Sequence, residues 1–125
     1  MNVNLSDGEW TLMNKLWDTP GLTIAQLTAA LKEETLWGKH TVITMLSRLE
    51  GKGAVCHNGE TPKRYSPTLP RQDAAQSETK SFLGKVYGGR LGLMMSAMVD
   101  AKALTQADID ELSAILEKAK GGGEA

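Results

Sequence analysis

Residues 39–53 read KHTVITMLSRLEGKG, and this stretch decides the fold. Its apolar side chains recur at spacings of three and four, which is the period of an α-helix with one buried face. Gly53 ends the pattern, because glycine is common just after the last turn of a helix. We therefore predict a helix from about Lys39 to Lys52. Its buried stripe consists of Val42, Met45, Leu46 and Leu49.

The opposite face of this helix is polar and carries no acid before Glu50. The exposed side chains are predicted to be Lys39, His40, Thr41, Thr44, Ser47 and Arg48. A helix that enters the major groove needs short polar groups that reach base edges, and cations that meet phosphates. We therefore predict a DNA-recognition helix in which Thr41 and Thr44 contact bases, His40 a base or a phosphate, and Arg48 phosphates. The plainer alternative is a solvated helix face with ordinary surface charges.

Two helices precede this one. Ser6 with Glu9, and Thr23 with Gln26, are each three residues apart, which is the spacing of a capping box at a helix start. Pro20-Gly21 separates the two helices. Their apolar stripes are Trp10, Met13 and Trp17 in the first, and Ile24, Leu27 and Leu31 in the second. We predict that the tryptophans, Trp37 included, pack in the core rather than stack on bases.

After Gly53 the pattern changes to short strands. Residues 54–57 form one predicted strand, Asn58-Gly59 is a strong hairpin-turn signal, and Arg64 begins the return strand. Three helices followed by a two-stranded ribbon are typical of a winged helix-turn-helix domain, predicted over residues 1–69. Lys63 and Arg64 lie just past the tip, where a wing meets the DNA backbone. A winged helix that binds another protein is the alternative, since such folds also serve that purpose.

The C-terminal part, residues 70–120, is predicted to hold three helices that mediate dimerisation. All three have apolar faces, and a unit this small is marginal when it folds alone. Pairing with a second copy would bury those faces and present two wings to a palindromic site. The predicted dimerisation residues are Phe82, Leu83, Val86, Leu91, Met94, Met95, Met98, Leu112, Ile115 and Leu116. The alternative is that this part packs on its own N-terminal domain. The glycine-rich tail, 121–125, is predicted to be disordered.

Composition narrows the class of protein. The chain has 125 residues, 41% of them apolar, and its 14 Lys and Arg nearly balance 15 Asp and Glu. These values exclude a histone-like basic protein and an acidic disordered tail. Positive charge is concentrated in residues 38–70, which hold five bases and two acids, a local net charge of +3. That segment contains the predicted recognition helix and wing.

The sequence also bears on where the protein is located and on the roles of Cys56 and His57. The apolar stretch from Leu91 to Val99 is far shorter than the roughly 20 residues of a membrane span. The N-terminus lacks the features of a signal peptide. With one cysteine, Cys56, no internal disulfide can form, which favours a reducing, cytoplasmic location. We predict that Cys56 is a small buried residue rather than a redox sensor, and that His57 is exposed on the wing.

The sequence contains no pattern for catalysis or for a cofactor. No glycine-rich phosphate loop precedes a helix. His40 and His57 do not have a recognised metal-ligand spacing, and Met94, Met95 and Met98 have the spacing of a buried helix face as well as that of soft-metal ligands. We therefore predict no enzyme activity, no metal and no cofactor.

Several motifs carry a resemblance to a known family. They are LSDGEW (5–10) with Met13 and Leu16-Trp17, TLW (35–37), TVITMLSRL (41–49) with Lys52-Gly53, RYSP (64–67), ETKSFL (78–83) with Gly88-Gly89, and LT (104–105) with DEL (110–112). In this order and spacing the sequence resembles the penicillinase-repressor family, the BlaI/MecI/CopY group of bacterial transcriptional repressors. The resemblance implies a homodimer with an N-terminal winged helix and a helical dimerisation arm. Such proteins occupy an operator and block transcription, commonly of β-lactam resistance or metal-homeostasis genes.

The sequence departs from that family at two places. The β-lactam members are inactivated when a bond in the dimerisation arm, typically Asn-Phe, is cut; the corresponding place here is Ala97-Met98. The copper-responsive members carry Cys-x-Cys pairs near the C-terminus, whereas this chain has only Cys56. These departures argue against both routes of release. A repressor released by a small ligand, or by oxidation of the Cys56 thiol, is the remaining alternative.

Overall fold

The computed structural model describes residues 4–122 and confirms a mainly helical chain with a small β-sheet. In order, the elements are α1 (Asp7–Asp18), β1 (Leu22–Thr23), α2 (Ile24–Leu31), α3 (Lys39–Gly51), β2 (Val55–His57), β3 (Arg64–Pro67), α4 (Arg71–Tyr87), α5 (Leu91–Asp100) and α6 (Gln106–Gly122). The chain divides into two compact units between Lys80 and Ser81, within α4. The domain boundary predicted at residues 69 and 70 falls just before α4 and stays a prediction. No helix in the described part of the chain is long and apolar enough to cross a membrane.

The predicted capping boxes form at both early helices. The backbone N–H of Glu9 donates to Ser6 Oγ (3.2 Å), and the N–H of Ser6 donates to Glu9 Oε1 (2.8 Å). The same reciprocal pair joins Thr23 and Gln26 at 3.1 and 2.9 Å. Each box satisfies two backbone donors and so fixes where α1 and α2 begin. Helix α3 ends as predicted before Gly53, which takes a positive φ of 77° that only glycine adopts readily.

The N-terminal unit is built around one apolar core. Its fully buried large side chains are Leu12, Met13, Leu16, Leu27, Leu31, Val42, Leu46 and Leu49. Trp10, Trp17 and Trp37 are partly buried against this core, which confirms that they pack rather than stand free for stacking. The indole N–H of Trp17 donates to the carbonyl oxygen of Leu69 (2.8 Å) and ties α1 to the segment after the sheet.

The β-sheet has three strands rather than the predicted two. Their order is β1-β3-β2, and both pairings are antiparallel. Tyr65, on the central strand, lies opposite Leu22 on one side and His57 on the other. The strand β1 has only two residues, which is too short to show an alternating pattern in the sequence. One of them, Thr23, also caps α2, so the sequence signal there is that of a helix start. The wing is therefore attached to the helices through β1.

The loop at the tip of the wing begins with the predicted turn residues Asn58-Gly59, and the return strand begins at Arg64 as predicted. The backbone N–H of Asn58 donates to the carbonyl oxygen of Arg64 (3.1 Å), so the loop spans residues 59–63. The side-chain oxygen of Asn58 accepts the N–H groups of Arg64 (3.0 Å) and Glu60 (3.4 Å). Asparagine readily replaces backbone partners in this way. The side chain of Asn58 thus organises the loop.

The C-terminal unit comprises the end of α4, α5 and α6. Thr105 and Asp108, with the spacing of a capping box, cap the start of α6 through mutual hydrogen bonds of 3.0 and 3.1 Å. These bonds from Thr105 lower the pKa of the Asp108 carboxyl. None of the described side chains in this unit is buried. Helix α6 includes Gly121 and Gly122, two residues of the predicted disordered tail, whereas residues 123–125 lie outside the described residues.

Candidate nucleic-acid interface

The core fixes the orientation of α3. Val42, Leu46 and Leu49 are buried, so the opposite face of the helix must point away from the core. All six side chains predicted on that face are exposed, namely Lys39, His40, Thr41, Thr44, Ser47 and Arg48. The structure thus confirms that these side chains are exposed, while their role in binding DNA stays a prediction.

Four of these six residues lie together around one shallow concavity. His40, Thr41, Thr44 and Arg48 line it with Met45, and its volume is about 300 Å³. Ser47 is exposed outside this concavity, and Lys39 lines a different groove that is formed with residues of α2. Sequence reasoning placed Met45 only in the buried stripe, whereas it is half-buried and also forms part of this surface.

Thr44 has a defined hydrogen-bonding state. Its hydroxyl donates to the carbonyl oxygen of His40, one helical turn earlier, at 2.9 Å. The hydroxyl proton is therefore occupied, while the oxygen lone pairs and the methyl group stay available. In this state Thr44 can accept a hydrogen bond from a base or pack on a thymine methyl group. Thr41 has no such bond among the described residues, so its hydroxyl can act as donor or acceptor.

The single acid of α3 is paired with the wing. A carboxylate oxygen of Glu50 contacts Nδ1 of His57 on β2, an ion pair when the imidazole is protonated. The His57 ring also packs at 5.5 Å from the ring of Tyr65. Burial, and then the negative charge of Glu50, raises the pKa of the Tyr65 hydroxyl. His57 is exposed as predicted, and its contact with Glu50 joins the end of α3 to the wing.

The two predicted cations of the wing differ in their surroundings. Lys63 is exposed and has no carboxylate partner within residues 4–122. Arg64 is exposed as well, but one guanidinium nitrogen donates to the carbonyl oxygen of Gly21 at 3.0 Å. Arg64 is therefore held against the residue before β1 and keeps other N–H groups free.

The buried position predicted for Cys56 is wrong, because this residue is exposed. Side chains alternate between the two faces of a strand. Val55 points into the core, so its neighbour Cys56 points outward. Among the described residues, no group of three or more His, Cys, Asp or Glu side chains is arranged to hold a metal ion.

A partly buried ion pair that sequence reasoning missed connects the end of α3 to α1. The ammonium group of Lys52 lies 2.6 Å from Glu9 Oε1 and also donates to the carbonyl oxygen of Asn4 at 2.7 Å. Burial alone would raise the pKa of Glu9, but the hydrogen bonds from Lys52 and Ser6 outweigh it and lower that pKa. No local pattern signals this pair, because its members are 43 residues apart.

Three helices, a small sheet that ends in a wing, and an exposed α3 face without an unpaired acid define the class of winged-helix DNA-binding proteins. The family within that class follows from comparison with known proteins. A model of the penicillinase repressor family matches residues 5–118, and the chain belongs to that family.

Individual relatives agree with this assignment. The penicillinase repressor of Bacillus licheniformis is 31% identical over 117 residues, which cover 93% of this chain and 91% of the relative. The solution structure of the DNA-binding domain of the repressor BlaI is similar, with 28% identity and a TM-score of 0.53, over 58% of this chain and 90% of that one. The solution structure of monomeric Bacillus licheniformis BlaI in complex with the blaP half-operator gives 28% identity and a TM-score of 0.51 over the same shares.

Proposed function

We propose that the protein is a homodimeric transcriptional repressor that binds a palindromic operator with α3 in the major groove. The observation that carries this proposal is the exposed α3 face, where hydroxyls and cations are gathered and the one acid, Glu50, is paired with His57. The similar Bacillus licheniformis protein in complex with a half-operator supports DNA as the partner. Acting on DNA in a bacterium would place the protein in the cytoplasm.

Each predicted residue has a role in this proposal. Thr41 and Thr44 contact base edges from the centre of the α3 face, with His40 and Ser47 beside them. Lys39 and Arg48 on α3, and Lys63 and Arg64 on the wing, neutralise phosphates. Phosphate contacts set the register of the protein on the duplex, whereas the hydroxyl groups read sequence.

Dimerisation is supported by the apolar surface of the C-terminal unit. Several large apolar side chains of this unit are about half exposed in the single chain: Phe82 (46%), Val86 (49%), Leu91 (54%), Ile115 (53%) and Leu116 (62%). Leu83, Met94, Met95, Met98 and Leu112 are half-buried. A unit of this size needs a larger buried core than the one it forms alone. A second copy offers the matching apolar surface.

The symmetry of such a dimer sets the form of the operator. A two-fold dimer presents two copies of α3 related by the same axis, so its site is a palindrome. The half-site centres should lie about 34–36 Å apart, which is one helical turn of DNA, or a multiple of that distance. We propose that the regulated genes include β-lactam resistance genes, in line with the names of the relatives.

The dependence of DNA affinity on salt tests the proposal. A dimer that makes about 6–10 phosphate contacts should lose roughly 10³–10⁵ in affinity between about 50 and 200 mM salt. The rival function, a winged helix that binds only protein, would give no such DNA affinity. Titration of random-sequence duplex DNA by fluorescence anisotropy at several salt concentrations separates the two functions.

Release by a small ligand or by thiol oxidation is the alternative to cleavage. The place that corresponds to the cleaved bond, Ala97-Met98 on α5, lacks the Asn-Phe pair, and there Ala97 is exposed and Met98 is half-buried. Oxidation of Cys56 is the alternative that the structure makes accessible, since that thiol is exposed on the wing. Measuring DNA release after oxidant treatment of the wild type and of Cys56→Ser tests the thiol route. Equal release from both proteins would exclude it.

A further inference from the structure

An open groove lies between α2 and the start of α3, beside the predicted recognition surface. Its volume is about 450 Å³. Three small side chains on one face of α2, those of Ala25, Thr28 and Ala29, form one wall, and Trp37 forms part of the other. The groove is therefore shallow and unobstructed, which suits a rod-shaped partner more than an enclosed small molecule.

The groove carries two uncompensated positive charges. Lys32 and Lys39 line it, both are exposed, and neither ammonium group has a carboxylate partner in the part of the chain that the structure describes. The nearby Lys15 differs, because it pairs with Glu34 at 2.6 Å. None of the described residues that line the groove is acidic. The groove thus has the charge expected for a polyanionic ligand.

The position of Lys39 connects the groove to the recognition surface. Lys39 is the first residue of α3, and the next two residues, His40 and Thr41, line the concavity of the predicted recognition surface. A helix inserted in the major groove is flanked by the sugar–phosphate backbones of the duplex. One of these backbones would therefore pass beside the first turn of α3, where this groove is open.

We propose that the groove between α2 and α3 binds the sugar–phosphate backbone of the DNA that α3 reads, with Lys32 as a phosphate contact outside the recognition helix. This inference rests on the proposed function and extends it to a residue that no sequence pattern indicated. The small side chains of α2 let the backbone approach closely. Lys32 and Lys39 then meet neighbouring phosphates as mobile point charges, a contact that favours all sequences equally.

The experiment compares Lys32→Ala with a matched control, Lys80→Ala, which removes an exposed lysine that lines neither the groove nor the concavity on α3. Affinity for random-sequence duplex DNA is measured over a range of salt concentrations. Loss of one phosphate contact from each subunit of the dimer should weaken binding about ten- to hundredfold near 0.1 M salt and make the slope of log K against log salt shallower by about 1.8. Lys32→Arg should keep both properties, and Lys80→Ala should match the wild type.

The outcomes separate this inference from the proposed function. If Lys32→Ala matches Lys80→Ala while the wild type keeps steep salt dependence, the groove does not bind the backbone but the DNA-binding function stands. If the wild type itself shows no salt-dependent affinity, the proposed function fails. Inorganic phosphate is the second probe. If it raises the Tm of the wild type but not of Lys32→Ala, and the two proteins bind duplex DNA equally, the groove takes a free anion and the inference is overturned.

Discussion

The ammonium group of Lys52 lies 2.6 Å from the carboxylate of Glu9, which connects the residue after α3 to the first turn of α1. The Glu9 side chain is only 3% exposed, and its second oxygen, Oε2, is buried without a hydrogen-bond partner among the described residues. The same glutamate also closes the capping box with Ser6. One carboxylate therefore holds both the start of α1 and the end of α3.

Replacing Lys52 by Met should destabilise the protein. The change would leave the buried Glu9 carboxylate without its cation, and an unsatisfied buried group costs about 1–3 kcal/mol. The partial exposure of Lys52 lets solvent screen the pair and keeps the expected loss within that range. Urea unfolding followed by circular dichroism measures the free energy of unfolding, with Lys80→Met as the control at an exposed site. A loss of Lys52→Met no larger than that of the control would show that Glu9 is satisfied in another way.

The Glu9 carboxylate should also make the free energy of unfolding depend on pH. The pKa of Glu9 is lowered in the folded state from its ordinary value of 4.5, because hydrogen bonds from Lys52 and Ser6 outweigh the effect of burial. A lowered folded pKa contributes stability that is fully present above the unfolded value and is lost as pH falls through the folded value. Stability should therefore decrease below about pH 4.5, and the decrease should be smaller in Glu9→Gln. Urea unfolding at a series of acidic pH values measures both slopes, and equal slopes in the two proteins would contradict this assignment.

Local features of the fold could be predicted from the sequence, and long-range ones could not. Ser6 and Glu9 are three residues apart, so their capping box is visible as a pattern. Lys52 and Glu9 are 43 residues apart, and only the packing of α3 on α1 brings them together. The strand β1 was missed for the same reason: Leu22 becomes part of a strand only because Tyr65 lies opposite it.

In the candidate site, too, local features could be predicted from the sequence and features that depend on packing could not. The exposed α3 face could be predicted because helix period and buried stripe determine it. The exposure of Cys56 could not, since a three-residue strand has too few alternations to show which face is buried. Lys32 gave no signal at all. Lys32 caps the end of α2, and it lies near Lys39 only because the turn between α2 and α3 brings the two helices together.

Changes at Thr44 should alter sequence preference rather than overall affinity. Thr44→Ala removes the methyl and the hydroxyl oxygen that the His40 bond leaves available, whereas Thr44→Val keeps a methyl group in place. A good base contact discriminates by about 1–3 kcal/mol. Selection from randomised duplexes by each variant should show changed preference at the same position of both half-sites. Equal weakening on every duplex would remove Thr44 from the base-reading residues.

The two wing cations should respond differently to removal. Lys63→Ala and Arg64→Ala should each make the salt slope of DNA binding shallower by about one unit per subunit, or about two units for the dimer, as expected for lost phosphate contacts. Only Arg64→Ala should also lower the free energy of unfolding, by about 0.5–1.5 kcal/mol, because it loses the bond to the Gly21 carbonyl. DNA titrations and urea unfolding of both variants test this. An unchanged salt slope with changed sequence preference would mean that the wing reads bases.

A charge placed on the apolar surface of α6 should separate the dimer. Ile115 is 53% exposed in the single chain, and covering an isoleucine contributes about 1.5–3 kcal/mol. The two-fold axis makes Ile115→Asp count twice, so the dimer Kd should rise at least about 100-fold. Light scattering at micromolar concentration should give the mass of two chains for the wild type and of one chain for Ile115→Asp.

Ser113→Asp is the matched control for that change, because it adds the same charge two residues away at an exposed polar position of α6. It should stay dimeric if the apolar surface, and not net charge, holds the two copies together. The monomeric Ile115→Asp should still fold its N-terminal unit, whose core contains no residue of α6. It should also have a shallower salt slope for DNA than the wild type, because one chain contacts half as many phosphates. A wild type that is a single chain at micromolar concentration would refute the dimer, and the two-fold operator would then have no basis.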